Sequence, residues 1–296
     1  MRVGVVGIGK MGGPIADRLI TAGHEVAICN RSENAAMQSL RAKGATVRAS
    51  PSDLAAASEF VLTALPTEDA VRQVYTEMGA VANAGQIYID HSTVSPALNR
   101  DCAATLAERN ASFLDAPVSG GPAGAEAGTL TVMAGGDDAT FNRALSVLEA
   151  YGSKIRLCGP VGAGQAIKLV NQYLVAVHTM AASEAAAFAV RLGADLGTVA
   201  DVIGTSFGSS AMLLRNLPRY IARDFSPATP VSLIAKDLSI IHAEAMEADV
   251  PLFVGGLVEQ CYLEAKARGW AGEDMSALVK FWDRQPESPA DTHQTG

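Results

Sequence analysis

Lys168 is a side chain whose type and neighbours could carry acid–base chemistry. It lies near the start of a long predicted helix, and Asn171 and Gln172 follow at i+3 and i+4, so the three share one helix face. Reduction of a carbonyl needs a proton for the oxygen, and oxidation of an alcohol needs that proton removed. A lysine can serve when burial lowers its pKa from about 10.4 towards the working pH. The alternative is a solvated charge in a first helical turn.

A second candidate is the loop Asp115-Ala-Pro-Val-Ser-Gly-Gly-Pro122, which follows a predicted strand. Gly120 and Gly121 expose backbone N–H groups beside the hydroxyl of Ser119. A concavity of that kind can hold a carboxylate, even on an acidic protein. The same composition also suits a plain connecting loop.

A third candidate is a glycine-rich loop with G-x-G-x-x-G spacing, which follows a strand and opens a helix. It consists of Gly7, Ile8, Gly9, Lys10, Met11 and Gly12. The three glycines allow a tight turn, close approach of a pyrophosphate, and close packing of helix on strand. The free N–H groups of the helix N-terminus favour the pyrophosphate. The spacing predicts a dinucleotide site.

The end of the second predicted strand bears on the choice of cofactor. A carboxylate there would bind the ribose 2′-hydroxyl of NAD, but the chain has Asn30, Arg31 and Ser32. A guanidinium and a hydroxyl suit a 2′-phosphate, so the residues favour NADP, with NAD possible. The alternative is an Arg31 that faces solvent and makes no such contact.

These residues must be positioned by a sheet and by helices. Seven apolar runs are predicted as strands: Val3–Val6, Glu25–Cys29, Phe60–Leu65, Gln86–Asp90, Ser112–Asp115, Leu130–Ala134 and Ile155–Cys158. Most are separated by helical patterns, which predicts a mainly parallel sheet covered by helices on both faces. After Gly159 no convincing strand follows, and a long helical run extends to about Leu192.

We therefore predict an α/β fold with three parts. An α/β domain spans about 1–160, and an all-α domain spans about 161–284. The polar segment 285–296 is predicted to be a disordered tail.

Composition and charge exclude several classes of protein. The 296 residues are 49% hydrophobic, and the net charge of −8 comes without a Lys/Arg cluster, which argues against nucleic-acid or membrane partners. Four scattered cysteines favour reduced thiols and a cytoplasmic location, and the five histidines do not cluster, so no metal site is predicted. The apolar stretch 170–193 carries several polar residues, which favours a buried helix over a membrane span.

Four motifs in order resemble the β-hydroxyacid dehydrogenases, a family that includes 3-hydroxyisobutyrate dehydrogenase, tartronate semialdehyde reductase and glyoxylate reductases. The resemblance covers about 1–284. The motifs are Gly7-Ile-Gly-Lys-Met-Gly-Gly-Pro-Ile-Ala16, Asp115-Ala-Pro-Val-Ser-Gly-Gly121, Gly162-Ala-Gly-Gln-Ala-Ile-Lys-Leu-Val-Asn171 and Lys236-Asp237-Leu238.

The resemblance implies roles for particular residues. Ser119, Gly120 and Gly121 would bind the substrate carboxylate, Lys168 would be the general acid/base, and Asn171 or Gln172 would orient the substrate. Around the cofactor it implies three further contacts: Leu65 and Pro66, Thr93, and Lys236 from the second domain. The resemblance also implies that 1–160 is an NAD(P)-binding Rossmann domain. It implies that 161–284, beginning with the interdomain helix, is an all-α domain for substrate binding and oligomerisation, in a homodimer or homotetramer.

Two departures weaken an assignment to classical 3-hydroxyisobutyrate dehydrogenase. Gln172 stands where many members have a second Asn, and Asn30-Arg31-Ser32 resembles the NADP-using reductases.

The leading hypothesis is an NAD(P)-dependent enzyme that transfers hydride between the cofactor and a short β-hydroxyacid or semialdehyde. The alternatives are an imine reductase-like NADPH enzyme and a catalytically silent NADPH-binding module. The sequence leaves open the substrate, the physiological direction, and the roles of Asp237 and Glu184.

Overall fold

The computed structural model describes residues 1–283, so the predicted tail at 285–296 lies outside the described residues. The chain divides into two compact units. One comprises Met1–Tyr173 together with Lys236–Leu252, and the other comprises Leu174–Ala235 together with the described residues from Phe253 onward. The domain boundary predicted at residue 160 rests on element types rather than on contacts, and it stays a prediction.

One sheet organises the first unit. Within residues 1–283 it has nine strands: β1 (Arg2–Val6), β2 (Glu25–Cys29), β3 (Thr46–Val47), β4 (Phe60–Thr63), β5 (Ile87–Asp90), β6 (Ser112–Asp115), β7 (Val118–Ser119), β8 (Leu130–Gly135) and β9 (Gly152–Gly159).

The order β3-β2-β1-β4-β5-β6 is parallel throughout. Beyond it, β8 pairs antiparallel with β6 and β7 and parallel with β9. The strand order reverses between β1 and β4, which is where open α/β sheets form a ligand crevice at the carboxyl ends of their strands. The sheet is thus mainly parallel, as the alternation of strand and helix patterns predicts.

Helices connect these strands. In the first unit they are α1 (Gly12–Thr21), α2 (Ala35–Ala42), α3 (Pro51–Ala57), α4 (Glu68–Gly79), α5 (Pro96–Ala107), α6 (Gly121–Ala127) and α7 (Asp138–Leu148). Five begin at a polar side chain that accepts a first-turn N–H: Asn34, Ser50, Thr67, Ser95 and Asp137. Such caps satisfy donors that the helix leaves without a partner.

Two apolar cores lie on the two faces of the sheet, because successive side chains of a strand point to opposite faces. On β4, Phe60 and Leu62 belong to one core, whereas Val61 belongs to the other. The two cores cover both faces, which suits a parallel sheet.

The long helix α8 (Ala163–Arg191) passes from the first unit into the second at Tyr173. The second unit adds α9 (Leu196–Ile203), α10 (Ala211–Ala222), α12 (Phe253–Ala267) and a 3₁₀ helix (Met275–Trp282), while α11 (Val231–Glu247) crosses between the units at Ala235. Leu213 and Leu217 of α10 pack with Ala182 and Ala186 of α8 in its core.

Burial along α8 differs from the expected buried helix. A stripe at helical spacing is buried and carries Gln165, Lys168 and Gln172, whereas Ile167 and Val170 are exposed. Packing covers one face of the helix, and this face includes polar side chains. Within residues 1–283, this helix alone has the length and mean hydropathy of a membrane span; 28% of its apolar window is buried. Core helices of soluble proteins can have the same length and hydropathy.

Five of the elements that the structure contains are not predicted from the sequence. They are β3, α3, β7, α6 and α10. A two-residue strand has no periodicity to detect. Pro218 inside α10 argues against a helix from sequence, since proline removes an interior hydrogen bond.

Candidate active site

The glycine loop between β1 and α1 has the geometry of a dinucleotide site. Gly7 has φ of 93°, and a Cβ there would come within 2.4 Å of the Ala64 carbonyl oxygen. A Cβ on Gly12 would come within 2.0 Å of the Gly7 carbonyl oxygen, whereas nothing lies within 4 Å of one on Gly9. Two glycines are therefore required by packing, and the middle one leaves open space where a phosphate can approach the backbone.

Two asparagines fix this loop. Asn30 Oδ1 accepts the Ile8 amide at 3.2 Å, Asn30 Nδ2 donates to the Ser32 carbonyl at 2.8 Å, and Asn34 Nδ2 donates to the Ile8 carbonyl at 2.8 Å. The Asn30 side chain is thus committed to the loop. Arg31 is exposed, and in the part of the chain that the structure describes its guanidinium has no hydrogen bond or ion pair. It remains available for an external anion.

A buried carboxylate, Asp90, ties together the loops that follow β4 and β5. Its Oδ1 accepts from the hydroxyls of Thr63 at 2.7 Å and Ser92 at 2.6 Å, and its Oδ2 accepts from Asn99 Nδ2 at 3.2 Å. Burial raises the pKa of Asp90, although these donors oppose the rise. Ser92 Oγ in turn accepts the Leu65 amide at 2.9 Å. The network fixes Leu65 next to the His91–Thr93 segment; Pro66 beside it is exposed.

His91 is a buried neutral side chain beside this network. Its Nδ1 lies 2.6 Å from the Ala116 carbonyl oxygen and therefore carries the proton, so its Nε2 accepts from the Tyr151 hydroxyl at 2.9 Å. Burial lowers the pKa of His91 to about 4, although the bond to Ala116 opposes the change. The side chain is placed to link three segments rather than to exchange protons near neutral pH.

Lys168 is 7% exposed and its amine is held by two neutral oxygens. Lys168 Nζ donates to the Val118 carbonyl at 2.9 Å and to Gln172 Oε1 at 2.8 Å. Burial lowers the pKa of Lys168 to about 8, with Asp237 raising it and Lys236 lowering it further. This lysine can gain and lose a proton near neutral pH.

A chain of polar contacts extends from Lys168 to α11. Gln172 Nε2 donates to Asp237 Oδ2 at 2.5 Å, and Asn171 Nδ2 donates to Gln172 Oε1 at 2.9 Å. Lys236 Nζ forms an ion pair with Asp237 Oδ1 at 2.8 Å and donates to the Thr93 carbonyl at 2.6 Å. A carboxylate only accepts hydrogen bonds, so Asp237 fixes Gln172 with its oxygen towards Lys168.

The Ser119–Gly121 loop lies directly beyond the carbonyl that Lys168 contacts. Gly120 has φ of 130° and Gly121 has φ of 62°, both in the left-handed region that favours glycine. A Cβ on Gly121 would meet nothing within 4 Å. The loop is therefore held in an unusual backbone conformation, with open space beside it and the amine of Lys168 bonded to the preceding residue.

The residues predicted for the site form two groups, each held together by polar contacts. In the first group, Asn30 bonds to the glycine loop. The second group is the chain of contacts that runs from Lys168 and includes Asn171, Gln172, Lys236 and Thr93. Lys236, expected from the second domain, lies in the first compact unit. Gln165 Nε2 donates to the Ser92 carbonyl at 2.5 Å and so connects α8 to the Leu65 network.

Sequence reasoning missed the supporting roles of Asn34, Asp90 and Gln165. A signal existed for two of them. Asn34 precedes a helix, where asparagine is a favoured cap, and Asp90 is a carboxylate at the end of an apolar strand.

Comparisons with known proteins agree with this geometry. The family model described as the NAD binding domain of 6-phosphogluconate dehydrogenase matches residues 2–159. The model described as NAD-binding of NADP-dependent 3-hydroxyisobutyrate dehydrogenase matches residues 162–282. Together they cover nearly all of the chain that the structure describes.

Similar proteins match along almost their full length. The mitochondrial 3-hydroxyisobutyrate dehydrogenase of Drosophila melanogaster is 38% identical, over 96% of this chain and 90% of that protein. The L-threonate dehydrogenase of Cupriavidus necator is 34% identical, over 95% of each chain. The crystal structure of 3-hydroxyisobutyrate dehydrogenase from Salmonella typhimurium superposes with a TM-score of 0.87 at 32% identity, over 95% of this chain and 99% of that one.

An imine reductase from Streptomyces aurantiacus also superposes, with a TM-score of 0.66 at 20% identity, over 96% of this chain and 100% of that one. At that identity the likeness shows a shared fold and nothing more. The glycine loop, the buried lysine and the two family models together identify the chain as a member of the β-hydroxyacid dehydrogenase family, an NAD(P)-dependent oxidoreductase.

Proposed function

We propose that this protein transfers hydride between NADP(H), or NAD(H), and a short β-hydroxyacid or its semialdehyde, with Lys168 as the general acid/base. One observation carries the proposal: the buried amine of Lys168 is held by two neutral oxygens, and burial lowers its pKa to about 8. When bound, the nicotinamide supplies or accepts the hydride. The chain's own residues then need to bind the acid and move one proton.

The hydrogen bonds of Lys168 leave one direction for that proton. A protonated lysine has three N–H donors, and two of them are committed to Val118 and Gln172. In reduction, the third N–H donates to the substrate oxygen as that oxygen becomes a hydroxyl. In oxidation, the neutral amine keeps both bonds, and its lone pair accepts the hydroxyl proton at the same position.

Two amides support this exchange in the proposal. Asp237 holds the orientation of Gln172, which keeps an acceptor on Lys168 in both protonation states. Asn171 donates to the same Gln172 oxygen with one of its N–H groups. Its remaining polar atoms are free to orient the reacting hydroxyl, because Asn171 is only half-buried.

The substrate carboxylate is proposed to bind at Ser119, Gly120 and Gly121. The open space beside Gly121 and the bond from Lys168 to the preceding residue support this placement. A carboxylate held by backbone amides and the protonated amine of a nearby lysine stabilise each other's charge. The acid would thereby be anchored a short distance from the proton that it exchanges.

The cofactor is proposed to bind along the glycine loop, with Lys10 and Met11 at its turn, and near Leu65, Pro66, Thr93 and Lys236. The exposed guanidinium of Arg31 and the hydroxyl of Ser32 support NADP over NAD, since they can bind a 2′-phosphate. Asn30 is already committed to the loop, so its contribution would be to position the turn.

The proposal also covers the role of the all-α part of the chain, the assembly of the protein and its location. The all-α part of the chain, from residue 161, would shape the substrate site and mediate assembly into a homodimer or homotetramer. Exposed apolar side chains on it, including Phe188, Leu192 and Leu257, support an association that buries them. Four free cysteines support a reducing, cytoplasmic location.

The test is a nicotinamide absorbance assay with NADPH and NADH and a panel of short aldehyde acids and hydroxyacids. The wild-type protein should turn over at least one of them, with a higher kcat/KM for NADPH. Lys168→Ala should lose turnover and keep cofactor affinity within a few-fold, because the hydrogen bonds of Lys168 are to Val118 and Gln172 and not to the glycine loop. Lys154→Ala, which removes an exposed lysine of the same unit, is the matched control.

Two results would contradict the proposal. Turnover in Lys168→Ala at the wild-type rate would remove the mechanism. Reduction of cyclic imines but of no acid would favour the imine reductase alternative, and NADPH binding without turnover of any substrate would favour the silent module.

A further inference from the structure

Asp115, the last residue of β6, is fully buried against the start of α8. Its Oδ1 accepts the Gly162 amide at 2.6 Å, and its Oδ2 accepts the Gln165 amide at 2.8 Å. Gln165 lies in the first turn of α8, whose N–H groups have no partner within the helix, and Gly162 directly precedes that turn. The carboxylate therefore caps α8 from a position 50 residues away from Gln165 in the sequence. Both oxygens accept from N–H groups, which suits the ionised form.

Two glycines make room for this contact. A Cβ on Gly135 would lie 2.3 Å from Asp115 Oδ1. A Cβ on Gly164 would lie 2.7 Å from Asp115 Oδ2 and 2.2 Å from the Met133 carbonyl oxygen. The third glycine of the set, Gly162, has φ of 95° and presents its amide to the carboxylate. The backbone around Asp115 is thus built to bring β6, β8 and α8 together.

The same segment contacts α8 at a second point, one turn further along. Three residues after Asp115, the Val118 carbonyl accepts from Lys168 Nζ at 2.9 Å. The β6–β7 segment therefore holds both the backbone at the start of α8 and the amine of Lys168. The Ser119–Gly121 loop continues directly from it.

We propose that Asp115 is a positioning residue, which sets the depth and direction of Lys168 relative to the Ser119–Gly121 loop by holding the first turn of α8. This inference rests on the proposed function, in which Lys168 exchanges the proton. Burial raises the pKa of Asp115, and the bonds from the Gly162 and Gln165 amides oppose that rise. Among the described residues, Asp115 has no hydrogen bond to the Lys168 amine or to the side chain of Ser119, so its effect passes through the backbone.

Asp115→Asn is the most conservative change that breaks this contact. Asparagine has the same shape as aspartate, but one carboxylate oxygen is replaced by an NH₂ group, which would face a backbone N–H. One hydrogen bond is lost and two donors are left opposed. The first turn of α8 should loosen, which lets water approach Lys168 and moves the amine away from its place beside Val118.

The first experiment compares kcat in Asp115→Asn with that in Asp137→Ala. Asp137 caps α7 in the same unit, and its carboxylate accepts from the Thr140 amide at 2.8 Å and the Thr140 hydroxyl at 2.7 Å. Both variants should have a lowered Tm. Asp115→Asn should lose about 10- to 100-fold in kcat, as expected for a displaced catalytic group, with NADPH affinity within twofold of wild type. Asp137→Ala should keep kcat within twofold.

The second experiment does not depend on activity. In cofactor-free protein labelled with [13Cε]lysine, the Lys168 resonance is identified by its absence from Lys168→Arg and titrated by NMR. The charged groups that act on Lys168 are Asp237 and Lys236, and both are present in every protein compared. The titration midpoint of Lys168 should lie near pH 8 in the wild type. It should move to higher pH in Asp115→Asn, because water reaches the amine and stabilises its charged form.

Gly164→Ala tests the same contact with Asp115 intact, and it serves if Asp115→Asn does not fold. Its Cβ should push α8 off the carboxylate and give the same loss of kcat and the same upward shift. A kcat within twofold of wild type, or an unchanged Lys168 midpoint, in a folded variant would overturn the positioning role. Absence of wild-type turnover would instead contradict the proposed function, and the NMR titration would still test Asp115.

Discussion

The two compact units each contain a buried charged group, and the two groups are stabilised in opposite ways. In the second unit, Asp274 is fully buried and accepts two bonds from Arg215, each of 2.7 Å. It also accepts the Thr229 amide at 2.9 Å and the Ser276 amide at 3.1 Å. Burial alone would raise the pKa of Asp274, but Arg215 and these amides hold it well below its usual range.

In the first unit, the carboxylate that raises the pKa of Lys168 is linked to it only through an amide side chain. Asp237 bonds to Gln172, and Gln172 bonds to Lys168, so the lysine has only neutral oxygens as direct partners. Burial therefore prevails and lowers the pKa of Lys168 to about 8. A direct countercharge keeps a buried group ionised at every physiological pH, whereas neutral partners let it change state. Asp274 therefore belongs to a structural ion pair, whereas Lys168 can exchange protons.

Replacing Lys168 by a residue that stays positively charged should produce the largest effect, a loss of kcat. Lys168→Arg keeps a positive charge and hydrogen-bond donors, but a guanidinium does not release its proton near neutral pH. The kcat should fall by about 10²- to 10⁴-fold, the usual contribution of general acid–base catalysis. Stopped-flow measurement of nicotinamide absorbance at pH 8 tests this. A loss below fivefold would mean that Lys168 acts as a fixed charge, as Arg215 does.

Removing the countercharge of the second unit should produce the next largest effect. Arg215→Met leaves Asp274 buried without its bidentate partner, which typically costs about 3–5 kcal/mol of the free energy of unfolding. Arg219 Nε stands 3.6 Å from Asp274 Oδ1 and keeps part of the attraction, so the loss should lie near the lower end.

Urea unfolding of Arg215→Met measures that loss. Arg41→Met, which breaks an exposed pair with Glu33, is the control and should cost less than about 1 kcal/mol. Equal losses in the two variants would mean that the Arg215–Asp274 pair stabilises the fold no more than an exposed ion pair does.

The third and smallest effect concerns His91, a buried group that is kept neutral. Its pKa is lowered to about 4 by burial, so the unfolded chain binds more protons between pH 4 and 6.5, and stability falls as the pH drops through that window. Between pH 7.5 and pH 5 the loss should be about 2 kcal/mol. Asp274, whose pKa is lowered, contributes its own loss only below about pH 4.

His91→Gln keeps hydrogen-bonding groups and removes the titration. Urea unfolding at pH 7.5, 6 and 5 should show a flatter pH dependence for this variant than for the wild type. Parallel curves would assign the acid sensitivity of this range to other groups.

The fold follows from the sequence where apolar runs are separated by helical patterns. The strand predicted at Glu25–Cys29 has the bounds of β2, and that at Ser112–Asp115 has the bounds of β6, because a short run of consecutive apolar residues is typical of a buried strand. The strand predicted at Ile155–Cys158 lies within β9, which spans Gly152–Gly159. Helix α3 also has a signal in the sequence, since Ser50 is a favoured cap and Pro51 follows it at the first helical position.

Within the site, the sequence by itself determined the residues that act through local geometry. Gly7, Gly9 and Gly12 follow from a turn between strand and helix, and Gln172 lies over Lys168 because helical side chains meet at i+4. These relations depend only on neighbours along the chain.

Only the tertiary structure decided the partners that make Lys168 a candidate catalyst. Val118 lies 50 residues before it, and Asp237 lies 65 residues beyond Gln172. The cap that Asp115 provides to α8 is equally distant in sequence. Burial, which lowers the pKa of the lysine, is a property of the packed chain, since it depends on segments that the sequence keeps far apart.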